Sequence, residues 1–303
     1  MRIGIMSSGS RGIDATIEEL VARAKDLEAR GFDSMWMANI FGLDAIGALG
    51  IIGHVSERIE LGTAVVPSYP RHPAAMAQQC LTTQAASKGR FVLGIGLSHQ
   101  IVIEQLFGLS YERRAKHMAE YMAVLGPLLR GEPAKFDGEE YHVNMTMQVS
   151  DASPVPVVIA ALGDHMLRIA GREADGTILW MTGPTTIESH IAPKLNAAAS
   201  AAGKPTPRIV AGLPIILTND PDRAREKIAK TMTLYGTLPS YRAMLDKEGV
   251  AGPADVAIIG DEKLLGSALD RLRDVGVTDF EAAILPIEDG ADERTLSFLQ
   301  SRL

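Results

Sequence analysis

The sequence predicts an α/β protein folded as a (β/α)8 barrel. Three observations predict it: short apolar runs alternate with helical-period segments along the whole chain, the units number eight, and the 303 residues suit one barrel domain. Strands alternating with helices imply right-handed βαβ crossovers and a parallel sheet. An open doubly wound sheet is the structural rival, and the count of units favours closure. One domain is expected over residues 1–303, with an insertion after the fourth helix.

Residues 3–6 (Ile-Gly-Ile-Met) form the first expected strand. Ile17, Leu20, Val21, Ala24 and Leu27 then recur at spacings of three and four, an amphipathic helix. Thr16 with Glu19 fits a capping box at its start, and Gly31 fits the left-handed position at its end. A strand over 32–37, a helix over 44–55 and a strand over 59–65 follow. The next helix, 73–87, starts at Pro73, a residue suited to the first turn. It leads to a strand over 91–95.

A longer helix over 110–130 carries the stripe Met118, Tyr121, Met122, Leu125, Leu128 and Leu129, and Pro127 should kink its last turn. The pattern pauses over 131–154, which read as a hairpin. It resumes with a strand over 155–160, a helix over 164–172, a strand over 177–180 and a helix over 185–202. A strand over 209–217, a helix over 221–234, a helix over 263–275, a strand over 279–285 and a final helix over 292–303 complete the eight units.

Composition narrows the function. The chain is 46% hydrophobic and 22% charged, and its net charge of −7 argues against a nucleic-acid partner, whose phosphates demand a basic face. Cys80 is the single cysteine, so no intrachain disulfide or cysteine-based metal site is expected. His54, His117, His142 and His190 have no metal-like spacing. With no signal-peptide pattern and no long apolar run, a cytoplasmic protein with a small-molecule substrate is expected.

In such a barrel the active site lies on the loops after the strands. After the third strand comes Tyr69-Pro70-Arg71-His72-Pro73, and after the fourth Gly94-Ile95-Gly96-Leu97-Ser98-His99. Gly94 and Gly96 either let backbone approach a ligand or relieve a tight turn. No complete nucleotide-binding glycine loop is present. After the fifth strand, Leu162-Gly163-Asp164-His165 opens a helix. Its free N–H groups could hold a phosphate, or Gly163 and Asp164 could merely cap the helix.

The segments "AALGDHMLRIAGREADGTILW", "RIELGTAVVPSYPRHPAAMAQQCLTTQAASKGRFVLGIGLSHQ" and "GVTDFEAAILP" resemble the luciferase-like oxidoreductases, especially the branch that uses the deazaflavin coenzyme F420. The likeness runs in order from "GFDSMWMAN" to "LLGSALDRLRDVGVTDF". It implies a non-prolyl cis peptide at Ala64–Val65 behind the cofactor ring. It also implies a phosphate site at Leu162, Gly163, Asp164 and His165, with Thr182 and Gly183 beside it, and Asn39, Ser98 and His99 near the ring. Asp164 would repel a phosphate unless its carboxylate turned aside.

In the sugar-phosphate dehydrogenase branch, the positions matching Ile40, His99 and Pro184 hold a basic His, an acid and a phosphate-binding Lys. Three departures argue against sugar-phosphate oxidation. His99 is then the candidate catalytic residue, an imidazole able to protonate a substrate after hydride delivery; its alternative role is to hydrogen-bond the loop or cofactor. Arg71 could meet an acidic cofactor tail or be a solvated loop residue.

The resemblance thus implies an F420-dependent oxidoreductase, acting as a reductase on an unidentified small organic substrate. The alternatives are an FMN-dependent monooxygenase working with a separate flavin reductase, and a barrel that binds cofactor without turnover. No metal is expected. A homodimer through the second to fourth helices is. Loops over 7–12, 39–43, 97–108, 131–154 and 235–255 should shape the substrate pocket.

Overall fold

The computed structural model describes residues 1–7, 15–285 and 288–303. Eight parallel strands close a barrel: β1 Arg2–Met6, β2 Ser34–Met37, β3 Glu60–Thr63, β4 Phe91–Gly96, β5 Val157–Ala160, β6 Gly176–Trp180, β7 Arg208–Leu217 and β8 Asp279–Ile284. Each pairs with the next in chain order, and β8 pairs back onto β1 with Arg2 beside Asp279. Because β7 bonds to both β6 and β8, the sheet has no gap and the open-sheet alternative falls away.

Local chemistry sets the element boundaries. Thr16 and Glu19 form the expected capping box on the helix Ile17–Arg30, and Gly31 ends it with φ of 92°. Asp44 caps the helix Ala45–Val55, and Asp220 and Asp261 cap the helices Pro221–Thr231 and Glu262–Asp274. Pro127 lies inside the helix Arg114–Leu129, which ends two residues later. The excursion after that helix is an antiparallel hairpin of Ala134–Asp137 and His142–Met145. It is tied down where the buried Glu120 carboxylate accepts the Glu140 N–H at 2.8 Å.

Several elements differ from the sequence expectation. The third strand stops at Thr63, and a two-residue strand, Val66–Pro67, continues the ladder on β4. Gly62 pairs with Val92 but Val66 pairs with Ile95, so the third strand holds one more residue than its partner between these points. This is a bulge at the barrel rim. Residues 101–106, expected as loop, form a π-helix. Residues 233–248 add the helices Thr233–Thr237 and Pro239–Glu248, and Ile258–Gly260 adds a short strand to the end of β7. The expected helix over 185–202 contains a π-helical segment, Ile187–Ile191, between Pro184–Thr186 and Ala192–Ala201.

The barrel interior is layered. At its N-terminal end Arg208 pairs with Asp279 at 2.6 Å and Glu60 at 2.8 Å, and Arg2 joins both acids at 3.1–3.2 Å. Above lies an apolar layer of Trp36, Val92, Val158, Ile178 and Val210. These two layers plug the lower barrel, so a ligand can enter only from the opposite end. Among the described residues no helix is long and apolar enough to cross a membrane.

Candidate active site

A cavity of about 1550 Å³ opens at the C-terminal ends of the strands. That exceeds the roughly 300–1,000 Å³ of a typical single-ligand site, leaving room for two molecules side by side. Of the residues singled out from sequence, Asn39, Ala64, Val65, Ser98, His99, Leu162, Gly163, Asp164 and His165 all line it.

The helix Asp164–Glu173 begins at this cavity with no side chain capping its first turn. A methyl group at Gly163 would meet nothing within 4 Å, so the approach is open. Unsatisfied N–H groups and the positive helix end favour an anion there. Asp164 does turn aside: its carboxylate pairs with Lys194 at 2.5 Å. That hydrogen bond holds the Asp164 carboxyl below its ordinary pKa and offsets its negative charge. His190, in turn, lies within hydrogen-bond distance of the Leu162 carbonyl oxygen, 2.8 Å from Nε2.

Thr182 and Gly183 do not join this group. The Thr182 side chain turns back to donate to the Trp180 carbonyl, and Gly183 lies beneath Glu248. Glu248 accepts the Thr185 and Thr186 N–H groups at 3.1 and 2.7 Å, so this second helix start is already occupied by the chain's own carboxylate. Residues 8–12 of the first expected pocket loop lie outside the described residues.

The wall formed by the third and fourth strands carries the Ala64–Val65 bond, which is cis. Gly94 and Gly96 make room for this wall. A Cβ at 94 would meet the Thr63 carbonyl oxygen at 1.8 Å, and one at 96 would meet the Val65 side chain at 2.8 Å. The Thr63 hydroxyl bridges the interrupted ladder, donating to the Gly94 carbonyl and accepting the Gly94 N–H, both at 2.8 Å.

The following loop is pinned from beneath. His117 stacks on Tyr69 with ring centres 4.0 Å apart, and its Nε2 lies 2.9 Å from the Ser68 hydroxyl. Burial pushes His117 down to about 4, so the stack stays neutral.

On the opposite side, the Asn39 amide oxygen accepts the Ala45 N–H at 3.0 Å, leaving its NH2 group as a donor at the cavity. Ser98 adopts φ of 60°, and its carbonyl accepts the Tyr111 hydroxyl at 2.7 Å. His99 sits among aromatic rings, 6.0 Å from Tyr241 and 6.4 Å from Tyr235. Burial lowers its pKa below the ordinary histidine value. Near neutral pH it is an uncharged imidazole, suited to hydrogen bonding and a poor acid.

Sequence reasoning missed Glu281. It lies in β8, 1% exposed, and lines the cavity. The signal was present: an acid inside the apolar strand Asp279–Ile284 is rare unless paired or functional. Among the described residues no group of three or more His, Cys, Asp or Glu could hold a metal.

Comparison with known proteins gives a consistent family. The model of a family described as luciferase-like monooxygenase matches residues 1–285. An uncharacterized protein of Mycobacterium tuberculosis is 30% identical over 256 residues, covering 78% of this chain and 75% of its own. The F420-dependent glucose-6-phosphate dehydrogenase of Nakamurella multipartita is 27% identical over 286 residues, covering 89% and 82%. The F420-dependent tetrahydromethanopterin reductase of Methanopyrus kandleri superposes with a TM-score of 0.81 at 20% identity, covering 100% and 98%.

Proposed function

The chain belongs to the luciferase-like monooxygenase family, and we propose that it is an F420-dependent oxidoreductase working as a reductase on an uncharged, largely apolar acceptor. The observation that carries this reading is the uncapped start of the helix Asp164–Glu173, opening on a cavity large enough for cofactor and substrate together. The residues present fit the cofactor. N–H groups at Gly163, Asp164 and His165 would take its phosphate, the Asn39 amide a polar ring edge, and the Ala64–Val65 wall its back face, with Ser98 and His99 at its side. When bound, the reduced deazaflavin supplies a hydride.

The substrate class follows from the remaining walls. Trp180, Tyr235, Tyr241 and Phe107 line the cavity, and the arginines and the lysine among its described lining residues are engaged, Lys116 with Glu139. Arg71 pairs with Asp44 at 2.5 Å, Arg113 with Glu139 and Glu140, and Arg114 lies over the Tyr111 ring. Ile40 stands 53% exposed where the sugar-phosphate branch needs a base, which supports reduction of a polarised double bond over sugar oxidation. Neutral His99 orients the acceptor by hydrogen bonding. The same reading includes a homodimer in a reducing cytoplasm. Ile51 and Val55, half-exposed on the helix Ala45–Val55, offer an apolar face for it, and the buried Cys80 thiol stays free.

Calorimetry with purified protein tests the cofactor. F420 is expected to bind at least about 100-fold more tightly than FMN, a difference of about 2.7 kcal/mol. Reduced F420 should then be oxidised anaerobically by a panel of enones, imines and quinones. Tighter FMN binding with substrate-dependent oxygen uptake would replace this reading with the monooxygenase one. Tight F420 binding without turnover would leave a carrier.

A further inference from the structure

Within β8, Asp279 and Glu281 face into the barrel two residues apart, yet their surroundings are opposite. Asp279 meets Arg208 at 2.6 Å and Arg2 at 3.2 Å. Glu281, one layer higher, meets neither. Its Oε1 is buried with no hydrogen-bond partner, and burial alone perturbs the group, with no described cation or donor facing it.

Its neighbours make space and bring no charge to it. In register, Glu281 lies between Gly4 of β1 and Gly212 of β7. A Cβ on Gly212 would come within 3.3 Å of Glu281 Oε2, and one on Gly4 would strike Ser34. Beyond these glycines come the rings of Trp36 and Trp180. Among the described residues, the elements packed against this carboxyl present no titratable side chain to it.

A carboxyl so placed does not stabilise the fold. Burying it unpaired costs more than burying an apolar group of the same size, and it pairs with nothing in return. Its open side is the cavity, which it lines together with Trp180, Ile178 and Ala160.

We propose that Glu281 is a catalytic residue, a neutral carboxylic acid at the cavity floor that protonates the acceptor as the hydride arrives. This rests on the reductase reading above. The hydride from reduced deazaflavin forms a new bond at one atom of a polarised C=C, C=O or C=N. The displaced π pair moves to the far atom and takes the proton from the Glu281 O–H. The acceptor is reduced, the deazaflavin is oxidised, and the Glu281 carboxylate recovers its proton from solvent water. The arrangement supplies what neutral His99 lacks, a proton available near neutral pH, because burial pushes the Glu281 carboxyl up to about 8.

The test uses Glu281→Gln and Glu281→Asp in the full chain. The first readout is thermal stability of cofactor-free protein across roughly pH 5 to 9. A carboxyl raised in the folded state binds its proton there while the unfolded chain has lost it, so wild-type stability falls as pH rises from the ordinary carboxyl value toward about 8. Glu281→Gln should lose that fall and become the more stable protein at high pH. Parallel pH curves would overturn the neutral acid.

The second readout is turnover. Glu281→Gln should retain wild-type F420 affinity within about threefold and lose roughly 100-fold or more in kcat, the range for a general acid. The alkaline limb of its kcat profile should vanish, and Glu281→Asp should restore part of the rate. A kcat within about twofold of wild type, or a surviving alkaline limb, would overturn the role. Failure of wild-type protein to bind F420 would sink the parent reading instead, while the cofactor-free stability curves would still report on the acid.

Discussion

Thr63 and Gly94 are joined twice across the third and fourth strands, hydroxyl to carbonyl and N–H to hydroxyl. The join exists because one residue too many sits on the β3 side, and backbone from residue 63 is pressed toward residue 94. The consequence is severe for a single methyl group. Gly94→Ala would place Cβ 1.8 Å from the Thr63 carbonyl oxygen, which belongs to backbone and has no rotamer to escape into. The strand must move, and a loss of about 3 kcal/mol is expected at the upper end of overpacking costs, read as a lowered midpoint in urea. A change under about 0.5 kcal/mol would show that the wall yields. The G-x-G pattern was visible in the sequence, but its reason was not. Both glycines make room for the third strand and Gly96 also lines the cavity, and only the register across strands shows it.

Element boundaries set by local caps were legible for the same reason that makes them local. Thr16 and Gly31 act within three or four residues of themselves, so their spacing carries the signal. The helix start near Pro184 was legible too, but its cap lay beyond reach. Its cap is Glu248, 62 and 63 residues away from the N–H groups it accepts, on the helix Pro239–Glu248 that the hydrophobic pattern did not predict. The family resemblance puts Thr182 and Gly183 beside the cofactor phosphate, at a helix start where the fold supplies its own carboxylate. Glu248→Ala should cost about 1 kcal/mol, as loss of a helix cap does, and shift the urea midpoint accordingly. It should leave F420 affinity within about twofold, because the proposed function seats the cofactor phosphate at Gly163. A large loss of affinity would return Thr182 and Gly183 to the cofactor site.

Across the whole molecule, barrel closure and the depth of the cavity share one device, the ion cluster at the N-terminal end. Arg208 of β7 reaches both Glu60 of β3 and Asp279 of β8, joining strands far apart around the barrel. It fills space that would otherwise admit water beneath the apolar layer of Trp36 and Val210. The eight-unit alternation revealed the barrel from sequence alone, whereas this cluster needs four residues between positions 2 and 279 to meet, which no local spacing records. Its energetics are asymmetric. Removing one partner from a buried network strands the others, while replacing partners together removes the penalty. Arg208→Met should cost about 3 kcal/mol or more, since the Asp279 side chain is only 3% exposed and keeps Arg2 as its remaining cation. The double variant Arg208→Met with Asp279→Leu should recover much of that loss, and the difference between the two urea midpoints measures the coupling. If the single variant costs under about 1 kcal/mol, the cluster is a bystander and the apolar layer above it seals the barrel unaided.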